Sequence, residues 1–311
     1  MVSSSNAPIA LFVYNRPAHT RRTLESLSRN RGAEQSKLYI FADGLKDNAS
    51  EQDAVKIESV RRLLREKEWC QEIEISEFDQ NCGLAQSIIH GIDEVLKVHD
   101  RVIVLEDDIE TSPGFLCYMN DALEMYEEQE RVMQVSGFMV RNLLSAPQTG
   151  FLRVSTSWGW GTWQRAWKNF RNDATNLLEE VSQKGRADFD LDGFSFHFEE
   201  LSRNVSGALE TWAVRWYASI FLNNGLCLYP RQSMVRNLGF DGSGTHCHND
   251  KTNKFSKLKM ANRTQVLRRP LEEDPKYLRA VQTHYETQLK AWTGKRLRDR
   301  VLHRLKKLLA G

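Results

Sequence analysis

Glu106, Asp107 and Asp108 follow four apolar residues in the stretch "VIVLEDDIETSPGF", residues 102–115. Three adjacent carboxylates at the end of a buried strand repel one another, and burial makes each charge costlier unless a cation or donors neutralise it. A divalent ion meets that need. Mg²⁺ and Mn²⁺ are hard ions that take oxygen ligands, commonly one or two carboxylates plus the phosphates of a substrate. One compact acidic cluster without a second ligand set suits a site shared between protein and diphosphate better than a closed structural site. The competing reading is a solvated, acidic helix start.

Other reactive side chains stand in similar places. The apolar runs before them end in Asn15 and Arg16, in Asp43 and Gly44, and in the segment Asp79 to Gly83. Taken singly, Asp43 and Asp79 read as residues that begin a turn or cap a helix. Further on, "STSWGWGTWQRAW" holds four tryptophans, whose flat faces suit sugar rings. Trp158 and Trp160, flanked by glycine, are the candidates for such a site. Trp163 and Trp167, at i and i+4 on an expected helix, are assigned to packing. Glu210, in "GALETWAVRW", can serve as a general base at the start of a helix, with a dipole or capping role as its rival. In "MVRNLGFDGSGTHCHND", Gly242 and Gly244 permit a loop to close, and Arg236 or His246 can reach a diphosphate. His246 and His248 lack the further ligands of a zinc site.

The elements that must position these groups alternate. The runs "IALFVYN", "KLYIFAD", "EIEISEFD" and "RVIVLEDD" read as strands, each followed by a stretch of helical spacing, with Pro17 in the first turn of the first helix. Strands alternating with helices imply a mostly parallel sheet covered on both faces. In such sheets ligands bind at the carboxyl ends of the strands, so Arg16, Asp43 and the triple acid would gather on one edge. The chain is accordingly expected to be one large α/β domain in three parts. Residues 7–140 form the α/β layer. Residues 141–250, rich in Trp and Gly, form a smaller part with "ETWAVRWYASIFLNN" as a helix, the other wall of a cleft. Residues 251–311 are a basic extension.

Composition narrows the class. With 311 residues, 41% hydrophobic and 27% charged, the chain has material for a substantial core. A net charge of +2 gives no reason to expect a nucleic-acid partner. Five scattered cysteines with no CxxC pair fit neither a disulfide framework nor a structural zinc, and suit a reducing cytosol. The N-terminal stretch lacks the basic flank and unbroken apolar run of a signal peptide, and no segment reads as a membrane span. From Lys290 onward there are eight Lys or Arg residues and one acid, with Leu297, Val301, Leu305 and Leu308 on one helical face. That pattern fits either a peripheral contact with the inner membrane face or a helix packed on the domain with a solvated basic side.

The order "VYNRP", "FADG", "NCGLAQSI", "VLEDDIETSPGF" resembles glycosyltransferases of the GT-A fold, whose nucleotide-binding half ends a strand in a DxD or EDD motif. Within them it is most similar to the group containing the N-acetylglucosaminyltransferase that starts branching of complex N-glycans, and to bacterial transferases with the same acidic block. The resemblance implies a nucleotide-sugar donor, a UDP-sugar first, and a glycan or lipid-linked saccharide acceptor, with Mn²⁺ or Mg²⁺ as cofactor. It makes residues 7–140 the nucleotide-binding half and residues 141–250 the acceptor half. It places Arg16 on the donor's diphosphate or base, Asp43 on the uracil and Asp107, beside Glu106, on the ribose or sugar. It makes Asp108 the metal ligand and sets Gly83 and Leu84 in a loop near the nucleotide. It also makes Glu210 the base of an inverting displacement, where that family carries Asp. Two other readings compete. A sugar nucleotidyltransferase would open with a glycine-rich loop, where this chain has "YNRPAHTRR". A non-catalytic nucleotide- or carbohydrate-binding module would need no base.

Overall fold

The computed structural model of the protein describes residues 6–243 and 255–287. Its first part alternates as expected: β1 (Ile9–Val13), α1 (Pro17–Ser28), β2 (Lys37–Ala42), α2 (Glu51–Leu64), β3 (Glu72–Glu77), α3 (Leu84–Leu96), β4 (Arg101–Glu106), β5 (Ile109–Thr111), α4 (Phe115–Met125) and β6 (Val132–Ser136). The part read as irregular is also built of elements: β7 (Thr149–Leu152), β8 (Trp160–Trp163), α5 (Gln164–Trp167), α6 (Ala174–Phe189), α7 (His197–Val205), α8 (Trp212–Leu222), β9 (Leu226–Pro230) and β10 (Val235–Asn237). Residues 275–287 are helical as well.

One eight-stranded sheet, in the order β3-β2-β1-β4-β8-β6-β9-β7, runs through both parts. The pairs β3-β2, β2-β1 and β1-β4 are parallel, while β8 lies antiparallel between β4 and β6. Strands β1, β4 and β6 are buried along almost their whole length, as a sheet covered on both faces requires. β3, at the edge, alternates exposed and half-buried positions. The fold is therefore mixed α/β, with a large, mostly parallel central sheet flanked by helices.

The tryptophan stretch differs from its expected helix. β8 occupies Trp160–Trp163, and only the short α5 follows, with Trp163 as its N-cap. Trp163 and Trp167 are indeed core, their indole N–H groups donating to Leu123 O (2.9 Å) and Asp93 Oδ1 (2.7 Å). Trp160 belongs to the core too. It is fully buried, stacked on Trp212 at 5.1 Å between ring centres, and it does not line the cleft described below. Trp160 lies inside β8, which is buried on both faces between β4 and β6, while Trp158, in the loop before the strand, is half-buried and lines the cleft.

Among the described residues no helix is long and apolar enough to cross a membrane. The basic segment from Lys290, together with His246, Gly244 and His248, lies outside the described residues.

Candidate functional site

A cleft of about 1030 Å³ opens at the carboxyl ends of β1, β2 and β4. Arg16, Asp43, Gly83, Leu84, Glu106, Asp107, Asp108, Trp158 and Glu210 all line it, so the structure brings most of the sequence-derived candidates together.

Arg16 lies where β1 gives way to α1. Pro17 starts the helix with a preset φ. Thr20 Oγ donates to Arg16 O (2.9 Å) and Thr23 Oγ to Asp107 O (2.8 Å), tying α1 to the end of β4. The guanidinium spans two acids. Its Nε donates to Asp107 Oδ2 (3.2 Å), its Nη2 to Asp107 Oδ1 and also to Asp108 Oδ2 (3.0 Å). Its Nη1 is buried and has no hydrogen-bond partner among the described residues.

One guanidinium cannot balance three carboxylates. Burial, with the charges of Asp108 and Asp107 added, pushes the Glu106 carboxyl up to about 8. Burial also raises Asp107, to about 6, although Arg16 opposes the shift. Such surplus negative charge in a desolvated cleft, carried by hard oxygen donors, fits a divalent cation. Among the described residues no group of three His, Cys, Asp or Glu side chains forms a complete metal site. Asp108 could thus give only part of a coordination sphere, the rest coming from substrate oxygens and water.

Asp43 matches the turn-forming reading of its position and not the uracil contact that the resemblance implies. Its Oδ1 accepts from the backbone N–H of Gly44 (2.9 Å) and Cys82 (2.8 Å). Its Oδ2 accepts from Asn81 Nδ2 (2.8 Å) and the Gly83 N–H (3.1 Å). Four donors fill a carboxylate's acceptor sites, so Asp43 organises the 81–83 loop and has no capacity left for a uracil. The Gly83 amide is correspondingly not free for a ligand. Gly83 caps α3 with φ +78°, a left-handed conformation that glycine adopts without strain.

Glu210 does not start the helix. α8 begins at Trp212, and the Thr211 side chain caps it by accepting from the Ala213 N–H (3.3 Å). Glu210 precedes the cap, exposed and on the cleft wall, and no described residue donates to its carboxylate. The capping rival is thereby taken by Thr211.

Arg236 is a correction. Its Nη2 donates to Glu110 Oε1 (2.6 Å) and its Nε to Glu110 Oε2 (3.1 Å), and it does not line the cleft. β10 pairs antiparallel with β5, which sets Arg236 opposite Glu110 in register. The described part of the expected lid is tied down: the Leu238 N–H donates to Asp108 O (2.8 Å), and Asp241 Oδ2 lies 3.1 Å from His19 Nε2. Gly239 passes so close to the acids that a Cβ there would collide with Asp108 Oδ2.

Lys46, Asn81, His197 and Glu200 also line the cleft. Asn81 opens "NCGLAQSI", a loop whose local sequence gives no sign of its long-range partner Asp43. His197 and Glu200 were legible only as an i, i+3 pair in "FHFEE".

No protein-family model matches the chain, and no curated protein matches it. Among solved structures, S. aureus TarS is similar at 13% identity and a TM-score of 0.39, over 75% of this chain and 37% of that one. The chain thus spans well under half the length of that protein.

Proposed function

We propose that the protein is a metal-dependent glycosyltransferase that moves a sugar from a nucleotide-diphosphate donor, a UDP-sugar first, to a hydroxyl of a glycan or lipid-linked saccharide. The observation that carries this reading is the junction of Arg16 with three under-neutralised acids on a cleft large enough for donor and acceptor together. In the proposed reaction the acceptor oxygen bonds to the anomeric carbon as that carbon's bond to the diphosphate oxygen breaks. The hydroxyl proton passes to Glu210, and the electron pair leaves with the diphosphate, inverting the sugar. Arg16 Nη1 is the donor left for the leaving group. Asp108 would hold Mn²⁺ or Mg²⁺, whose contribution is to offset the diphosphate's charge.

The test is calorimetric titration of UDP in Mn²⁺ and in EDTA, with the native chain and with Asp108→Ala. Binding that requires Mn²⁺ and is lost in the variant supports the reading. UDP binding under neither condition removes its main support.

A further inference from the structure

The cleft contains a second polar device that the proposed reaction does not use. α7 starts at His197 and carries Glu200 to the same face one turn later. His197 Nδ1 lies 3.3 Å from Glu200 Oε2. A carboxylate partner can only accept, so the neutral ring carries its proton on Nδ1, and Nε2 is left as an acceptor. That nitrogen is buried, and no described residue bonds to it. The ring itself is held by aromatic edges, with Tyr217 at 5.0 Å and Tyr285 at 5.1 Å between centres. An unpaired buried acceptor is destabilising, and this one, unlike the core Trp160 N–H that also has no partner among the described residues, belongs to a residue that lines the cleft, where a ligand can supply the donor. His197, Glu200 and Tyr285 line the same cleft as the acids, with Phe196 beside them.

We infer that His197 Nε2 accepts a hydrogen bond from a hydroxyl of the sugar acceptor, a neutral saccharide whose ring lies against Phe196 and Tyr285. Glu200 is the positioning residue: it holds the imidazole in the tautomer that accepts. The hydroxyl bound here is distinct from the attacking one, whose proton goes to Glu210: His197 opens α7, while the loop carrying Glu210 follows that helix's other end. This inference rests on the transferase reading of the cleft.

The experiment is a long-range ¹H–¹⁵N correlation of the imidazole nitrogens in the full chain with UDP and Mn²⁺ present. Methyl β-D-glucopyranoside, methyl β-D-galactopyranoside and methyl N-acetyl-β-D-glucosaminide are the titrants. Expected are a protonated Nδ1 and an unprotonated Nε2 in the free protein, and a saturable shift of Nε2 with at least one glycoside. His197→Phe should weaken that glycoside by about ten-fold at unchanged UDP affinity, and His197→Gln, which keeps an acceptor, should recover part of it. Glu200→Gln should mix the tautomers and weaken the glycoside with UDP binding intact. A protonated Nε2 in the free protein overturns the inference. So does a panel in which no glycoside moves Nε2, whether or not the Trp158 indole responds. If UDP still binds in those failures, the transferase reading stands without this subsite; if the native chain binds no UDP, both fall.

Discussion

Arg16 Nη2 lies 3.0 Å from Asp108 Oδ2 while the same guanidinium holds Asp107, so a single cation from the end of β1 bridges two of the three acids at the end of β4. Arg16→Met would leave buried carboxylates without a partner. The expected loss is about 3 kcal/mol at pH 8, where the acids are most ionised, and it should shrink towards pH 5. Urea denaturation of both proteins at the two pH values measures it; an equal loss at both would show that Arg16 contributes packing and not charge.

Glu106 makes the same electrostatics visible in pH. Its carboxyl is raised, to about 8, first by burial and then by Asp108 and Asp107. The folded state therefore holds a proton that the unfolded chain releases near its ordinary carboxylate range. Stability falls as pH rises through that window and levels off above about 8. Glu106→Gln removes the part of the dependence that Glu106 contributes, leaving that of the raised Asp107 carboxyl, which is complete by about pH 6. The variant and the native chain should be similar near pH 5, and the variant more stable by roughly 1–3 kcal/mol at pH 8 without metal. Chemical denaturation across pH 5–9 checks the sign, and a native chain that gains stability over this interval would contradict the assignment.

Asp43 separates loop order from base recognition. With all four acceptor sites taken by Gly44, Asn81, Cys82 and Gly83, Asp43→Asn presents an amide N–H₂ where donors already point. The loop should loosen, costing about 2 kcal/mol of stability and weakening UDP. The ratio of UDP to CDP and GDP affinity should stay as it was. A selective loss of UDP over CDP in calorimetry would return Asp43 to the uracil.

How far the sequence could be read follows from which signals are local. The strands β1, β2 and β4 are continuous apolar runs ending in polar residues, so their order and the gathering of Arg16 with the acids were legible. The tryptophan stretch misled because "WGWGTW" has no periodicity that distinguishes a strand from a loop entering a helix; the antiparallel insertion of β8 between β4 and β6 is a tertiary choice. Arg236 was misplaced for a similar reason, since its partner Glu110 lies 126 residues away and only the β10-β5 register reveals it. The apolar residues of α6 and α7, among them Leu177, Val181, Phe198 and Leu201, do fall at helical spacing, but that pattern says nothing of a polar role and so did not single out His197.

Trp160 tests the corrected register. Its indole N–H is buried and has no partner among the described residues, so Trp160→Phe deletes an unsatisfied donor while keeping an aromatic ring against Trp212. Lost packing and relieved desolvation oppose each other, and the net change should stay within about 1 kcal/mol. UDP affinity should not change. A large loss of UDP binding in a stably folded variant would put Trp160 back on the ligand.

Glu210 decides between an enzyme and a binding module. It sits outside α8, exposed on the cleft, while Thr211 does the capping, so the structural work its carboxylate would lose is a through-space attraction to the Arg215 guanidinium. Glu210→Gln should leave stability within about 0.5 kcal/mol of the native value. If Glu210 takes the acceptor's proton, sugar transfer should fall by roughly 10²- to 10⁴-fold with UDP affinity unchanged. Because the glutamine keeps the length and polarity of the side chain and removes only its basicity, that split would be difficult to produce by misfolding. Transfer that survives the substitution would assign the base elsewhere in the cleft, and donor binding without any transfer in the native chain would favour the module.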